Sequence, residues 1–188
     1  MMEHVYHFTD TVRFPWIMDS GELRPTDNPH NGYPNPDFLW ATTNDKGCPS
    51  ATLINRKELY KAGIMHVVRF TLSAEDFQGW PQLAIDHPDW TALHISILNK
   101  TGVDLGDDPR TWRCRIGTLR GDRWVAVHAR SYRDNRWVEL PRDLPIDKQG
   151  DVREINIPQF GRFASRKFKQ PDGKTAYQVR RKPDDRIY

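Results

Sequence analysis

Long apolar runs are missing from this chain. No stretch approaches the roughly 18 consecutive apolar residues that a membrane-spanning helix requires, and the opening Met1-Met2-Glu3-His4 lacks the charged and apolar regions of a secretory leader. A cytoplasmic location, away from membranes, is therefore the expectation. Cysteine is scarce: Cys48 and Cys114 are far apart, with no CxxC pair and no disulfide framework. The glycines are scattered singly, which removes the phosphate-cradling loops of Rossmann and P-loop proteins. Seven histidines occur at positions 4, 7, 30, 66, 87, 94 and 128, and none forms a helical His-x₃-His pair or neighbours a cysteine at ligand spacing. No metal site is expected. His66 and His128 fall in mid-strand and read as hydrogen-bonded structural residues. Cys48 lies in a Gly-Cys-Pro turn and no Gly-x-Ser-x-Gly elbow exists, so nucleophilic catalysis has no support.

Aromatic residues are plentiful. Seven Trp, eight Phe and six Tyr make up 11% of a chain that is only 37% apolar, with a mean hydropathy of −0.77. That supply is too rich for a disordered chain. A core of indole and phenyl rings gains much apolar area per residue, and each buried N–H or O–H then needs a partner. The 188 residues fit one domain spanning 1–188, with no internal repeat and no linker. The net charge of +3 comes from 28 basic and 25 acidic residues and implies no polyanionic partner by itself. Basic residues crowd the C-terminal segment, however, from Arg153 through Arg162, Arg166, Lys167, Lys169, Lys174, Arg180, Arg181 and Lys182 to Arg186. Such a stretch is either a solvated edge hairpin that resists edge-to-edge pairing or a surface for nucleic acid or nucleotide phosphates.

The pattern along the chain predicts a strand over Met2–Thr9, then a helix over Val12–Ser20 capped by Asp10 or Thr11. Pro15 sits in its first turn and Gly21 stops it. Pro25–Pro36 reads as a loop of about a dozen residues, a length that suggests a functional role. Asp37–Thr43 is a second strand, Ser50–Ala62 a helix ended by Gly63, and Ile64–Leu72 a largely buried strand. Asp89–Lys100 predicts a helix with Trp90, Leu93, Ile97 and Leu98 on its apolar face, ended by Thr101-Gly102. Short strands come next at Trp112–Leu119, Arg123–Tyr132, Arg136–Leu140 and Val152–Ile157. Phe160–Lys169 and Thr175–Arg181 form a hairpin around Pro171-Asp172-Gly173. Helices early and strands late predict an α+β fold with two to four helices and a split or curved, mainly antiparallel sheet.

One constellation carries chemistry. Tyr6-His7-Phe8-Thr9 ends the first strand, an amphipathic helix closes on Gly21-Glu22-Leu23, a polar loop comes after it, and then Leu39-Trp40-Ala41-Thr42-Thr43. This order resembles the opening of the ADP-ribosyltransferase superfamily, in its diphtheria-toxin-like and DNA-targeting branches. The resemblance covers residues 5–43, roughly a fifth of the chain. It implies an ADP-ribosyltransferase-like fold, NAD as substrate, and no metal. His7 would bond the adenosine-side ribose hydroxyls, with Thr9 in support; Trp40 or Tyr33 would stack on nicotinamide, and Thr42 and Thr43 would line the pocket floor. Cleaving the nicotinamide–ribose bond passes through an oxocarbenium-like centre, which a carboxylate stabilises. The resemblance implies a catalytic Glu at the start of a late strand, and both Glu154 and Glu139 have that context. The second half is also similar to bacterial and phage proteins that carry Trp-Arg-Cys-Arg and Arg-Trp-Val-Ala-Val segments, a likeness that implies no activity.

Each of these residues has an ordinary structural alternative. His7 can be a strand residue bonded to a loop, Trp40 a core ring, Thr42 and Thr43 caps of the next helix. Glu154 and Glu139 can be surface positions paired with arginine. Arg69, inside a buried strand, either pairs with an acid or binds a phosphate, since an unpaired buried charge is costly. The rival function is a non-enzymatic nucleic-acid-binding module. It would use Arg162, Arg166, Lys167, Lys169, Arg180 and Arg181 for phosphates and Phe163, Phe168 and Tyr177 for bases.

Overall fold

A computed structural model describes residues 3–26, 33–34, 38–51, 56–181 and 186–187. The chain begins with β1 (His4–Asp10), α1 (Phe14–Ser20), β2 (Glu22–Leu23) and β3 (Leu39–Thr42). Next come α2 (Lys57–Lys61), β4 (Val67–Ser73), β5 (Gln78–Gly79), α3 (Gln82–Asp86) and α4 (Ala92–Asp104). Strands complete it: β6 (Trp112–Arg115), β7 (Leu119–Arg120), β8 (Trp124–Arg130), β9 (Val138–Leu140), β10 (Ile146–Gln149), β11 (Val152–Ile157), β12 (Gly161–Lys169), β13 (Thr175–Arg181) and β14 (Arg186–Ile187). The fold is α+β, with antiparallel sheets and, among the described residues, four α-helices. None of these helices is long and apolar enough to cross a membrane.

Seven strands form one sheet in the order β5-β6-β3-β1-β4-β8-β9, and five form a second in the order β10-β11-β12-β13-β14. The inner faces meet in one core. Val5, Leu39, Val68, Phe70, Leu72 and Val127 from the first sheet pack with Ile155, Ile157 and Phe163 from the second, and Phe14 of α1 is packed among them. Alternation explains the division: period-2 apolar positions of each strand point inward and the intervening polar ones outward.

Local chemistry sets the boundaries. Asp10 does not cap α1 directly; its Oδ1 accepts the Val12 and Arg13 N–H groups at 2.9 Å each, closing the turn before the helix. Thr11 Oγ1 accepts the His66 N–H instead. The helix starts later than expected, at Phe14, keeps Pro15 in its first turn, and stops at left-handed Gly21, φ 65°. The β12–β13 hairpin turns through Gly173, φ 81°, and pairs Lys169 with Thr175. Part of the expected loop Pro25–Pro36, the start of Asp37–Thr43 and residues 52–55 of the expected helix Ser50–Ala62 lie outside the described residues.

Helix α4 departs from expectation in its facing. Trp90 precedes the helix, which Thr91 and His94 cap reciprocally. Trp90 is buried among Phe38, Trp80 and Trp112, and this anchor turns Ile95, Leu98 and Gly102 inward. Leu93 and Ile97, expected on the apolar face, are 66% and 47% exposed. The helix also continues through Gly102, because that glycine lets the Trp112 ring approach: a Cβ there would stand 2.4 Å from two ring carbons. Gly102→Ala should therefore destabilise the fold by about 1–3 kcal/mol despite alanine's better helix propensity. Urea unfolding of the variant checks this, and an unchanged or raised midpoint would contradict it.

Candidate functional site

Strand registers assemble a row on the outer face of the seven-stranded sheet that is polar on three of its four strands. Phe8 pairs with Arg69, Arg69 with His128, and His128 with Glu139, so four adjacent strands contribute one residue each. A neighbouring row runs from Thr42 through Tyr6 and Thr71 to Ala126. Arg130 lies two positions beyond His128 on β8, hence on the same face. Trp137, just before β9, covers this region and packs against Phe8.

Arg69 is only 9% exposed. Its guanidinium carbon lies 4.4 Å from the centre of the Trp137 ring and 5.1 Å from that of Tyr6, and Nη1 donates to the Asp45 carbonyl at 2.7 Å. Arg130 lies 4.5 Å from the same Trp137 ring and donates from Nη1 to the Lys46 carbonyl at 3.2 Å. Of the two outcomes expected for Arg69, pairing with an acid is not the one observed. Among the described residues neither guanidinium forms an ion pair, and the Nε of each is buried without a hydrogen-bond partner. Burial pushes the Arg69 pKa down; Tyr6 and the Asp45 carboxylate oppose this and the Arg130 charge adds to it, and guanidinium groups remain cationic at neutral pH.

Around the arginines, His128 is held below its ordinary pKa by burial first and the Arg69 charge second, opposed by Glu139. It is neutral at pH 7, and its Nδ1 is buried without a partner among the described residues. Glu139 is exposed. The segment 44–50 bridges from β3 and is pinned at its far end by Asp107, which accepts from the Ser50 N–H at 2.9 Å, from the Ser50 hydroxyl and from Cys48 Sγ at 3.3 Å. Burial pushes the Cys48 thiol up to about 12, so it serves as a hydrogen-bond donor here and not as a thiolate.

The residues singled out from sequence are only partly brought together. His7 and Thr9 point to the inner face: the His7 ring sits 6.3 Å from Phe70, its Nδ1 donates to the Trp40 carbonyl at 2.7 Å, and Thr9 is buried. They are on the opposite side of the sheet from the Trp40 ring, because residues 7 and 9 alternate with outward Tyr6 and Phe8. Trp40 packs edge-on to Phe38 and Trp112 and near Trp80, while half-buried Tyr33 lies against Trp90 and His94. Thr42 is buried and its hydroxyl is committed to Thr111 Oγ1 and the Asn44 N–H, so it closes a turn. Thr43 is exposed, with its N–H on the Thr111 carbonyl. Glu154 belongs to the other sheet and is ion-paired with Arg162 at 2.5 Å. Glu139 alone of the two acids shares the outer face with Trp40, four strand spacings away, about 19 Å.

No protein-family profile, no curated protein and no solved structure matches this chain.

The basic hairpin is exposed along Arg162 and Arg166–Lys169, with several of its charges locally paired. Phe163 is fully buried in the core and is unavailable for base stacking, because it faces inward near the start of β12. Arg162 is paired with Glu154 and Arg166 with Asp151. Lys169 Nζ bonds Thr175 Oγ1. Lys167 Nζ lies 5.8 Å from the Trp16 ring and 6.0 Å from that of Tyr177, and Phe168 is 39% exposed. The side chains of Arg180 and Arg181 lie outside the described residues. Among those described, no group of three or more His, Cys, Asp or Glu is arranged to hold a metal ion.

Burial also holds His7 below its ordinary pKa. A depressed histidine contributes stability that is complete above about pH 6.5 and is lost as acid protonates the unfolded chain first. The urea midpoint should fall between pH 7.5 and 5.5, and fall less in His7→Asn, which keeps a donor for the Trp40 carbonyl but cannot titrate. Equal falls in both proteins would remove His7 as the cause.

Proposed function

We propose that this protein is an NAD-dependent ADP-ribosyltransferase-like enzyme of the cytoplasm, with the outer face of the seven-stranded sheet as its site and Glu139 as its acid. The observation that carries the choice is the position of Glu139: exposed, beside neutral His128, and in the row that contains Arg69. Glu154 is committed to Arg162. Both cysteines are free, which fits a reducing compartment.

In this reading the bond between ribose C1′ and the nicotinamide nitrogen breaks, and the bonding pair leaves with nicotinamide as the neutral pyridine. Positive charge grows on C1′ and its ring oxygen, and the Glu139 carboxylate stabilises it. A nucleophile of the acceptor then bonds to C1′ and gives up its proton to Glu139. Half-buried Trp40 and Tyr33, at the far end of the face, take the adenine ring instead of nicotinamide, a span that an extended dinucleotide bridges. His7 supports this face from behind through the Trp40 carbonyl, with Thr9 buried on the same side of β1. A nucleic-acid acceptor would meet the chain near Lys167, Trp16 and Tyr177, where a cation lies beside two rings.

Titration of the full chain with NAD, following tryptophan fluorescence and nicotinamide release together, tests the reading. Quenching with release supports it, and label transfer from NAD to DNA, RNA or protein then identifies the acceptor class. Neither quenching nor release at millimolar NAD would end it.

A further inference from the structure

Two guanidinium groups that share one indole ring, one of them nine-tenths buried, need an explanation. A buried cation costs free energy unless it is closely paired; the Asp45 carboxylate acts on Arg69 without forming an ion pair, and stacking on Trp137 together with one neutral carbonyl each replaces only part of the lost hydration. Each guanidinium has five N–H donors in a planar fork, and among the described residues the buried Nε of Arg69 and of Arg130 donate to nothing. The nearest titratable group on β8, His128, is neutral at pH 7 and offers a buried Nδ1, also unpartnered there. Tyr6 and Trp137 wall the site. Asp45 and Lys46 close it with backbone carbonyls, from a segment whose far end is fixed at Asp107.

Donors in forks and aromatic walls, with no described carboxylate paired to either fork, match the needs of a tetrahedral oxyanion. Phosphoryl oxygens accept paired N–H bonds from arginine in the geometry that a single carbonyl cannot satisfy. We propose that Arg69, Arg130 and His128 form a binding site for a phosphoryl group, and that its oxygens replace the Asp45 and Lys46 carbonyls on the two guanidiniums. The site stands whether or not the chain cleaves NAD, because it requires no Glu139 and no nicotinamide. It also accounts for the strap: its hydrogen bonds to the two guanidiniums come from neutral carbonyls, which a charged competitor displaces, while Asp107 keeps its far end in place.

The experiment uses the full chain and three probes, inorganic phosphate, inorganic pyrophosphate and ADP, measured by calorimetry at low salt. Trp137 supplies a second signal, since a change in guanidinium stacking alters its emission, and Trp137→Phe should abolish that response. Pyrophosphate should bind, and Arg130→Gln should weaken it about tenfold with the fold intact, because Arg130 is only half-buried. Arg69→Lys keeps the charge but not the fork and should weaken it to a similar degree. ADP binding more tightly than pyrophosphate assigns the phosphoryl group to a nucleotide; equal or weaker ADP binding assigns it to a free anion. Absence of binding by all three probes at about 10 mM, an affinity too weak to be specific, or unaltered pyrophosphate affinity in both arginine variants, overturns the proposal. Because no probe contains nicotinamide, failure here is distinct from failure of NAD cleavage.

Discussion

Glu139→Gln should lower nicotinamide release by at least about a hundredfold while leaving NAD affinity within about twofold. The substitution is nearly isosteric and the position is exposed, so no core contact changes. On the proposed mechanism, what disappears is the negative charge that would face the developing oxocarbenium centre, an interaction made in the transition state and not in the ground state. Glu154→Gln is the informative control. It breaks an ion pair on the other sheet, between an arginine that is 57% exposed and a carboxylate that is 11% exposed, so activity should hold. If Glu154→Gln abolishes release and Glu139→Gln does not, the site belongs on the second sheet and the outer-face assignment is wrong. A variant that loses binding and release together would make Glu139 a positioning residue.

The sequence made the elements legible where local chemistry dictates them. Gly21 ends α1, and Pro171-Asp172-Gly173 makes the hairpin. Val152–Ile157 is a strand at the predicted limits. It misled where a tertiary anchor decides, as in α4, whose facing results from Trp90 burying itself before the cap and from Trp112 against Gly102. Two-residue strands such as β2 and β5 carry no periodic signal at all. The site was harder. His7 and Thr9 sit two residues apart and so share a face, but which face is set by Val5 and Val68 at the core, not by their own chemistry. The row Arg69–His128–Glu139 could have been found on each strand separately, since each residue alternates with inward apolar neighbours: Val68 and Phe70, Val127 and Ala129, Val138 and Leu140. What the sequence does not carry is the lateral register that puts them side by side.

Phe163→Ala should cost about 3–5 kcal/mol and lower the melting temperature on the order of 10 °C. Phe163 is fully buried, in the one apolar cluster that includes Phe70 and Leu72 of the first sheet and Ile155 of the second. Its ring also meets His66 edge-on, at 5.6 Å. Truncation leaves a cavity bounded by two β-sheets whose backbones cannot easily collapse into it. Phe168→Ala, on the same strand but outward, should change stability by no more than about 0.5 kcal/mol. The shape of the transition matters as much as its midpoint. A shared core requires both sheets to unfold together, so the variant should still melt in one step by every probe. A low-temperature step confined to the hairpin would show that the second sheet is a separate cooperative unit. Its surface would then lose the support that the first sheet gives it, and Phe163 would return as a residue the hairpin can expose.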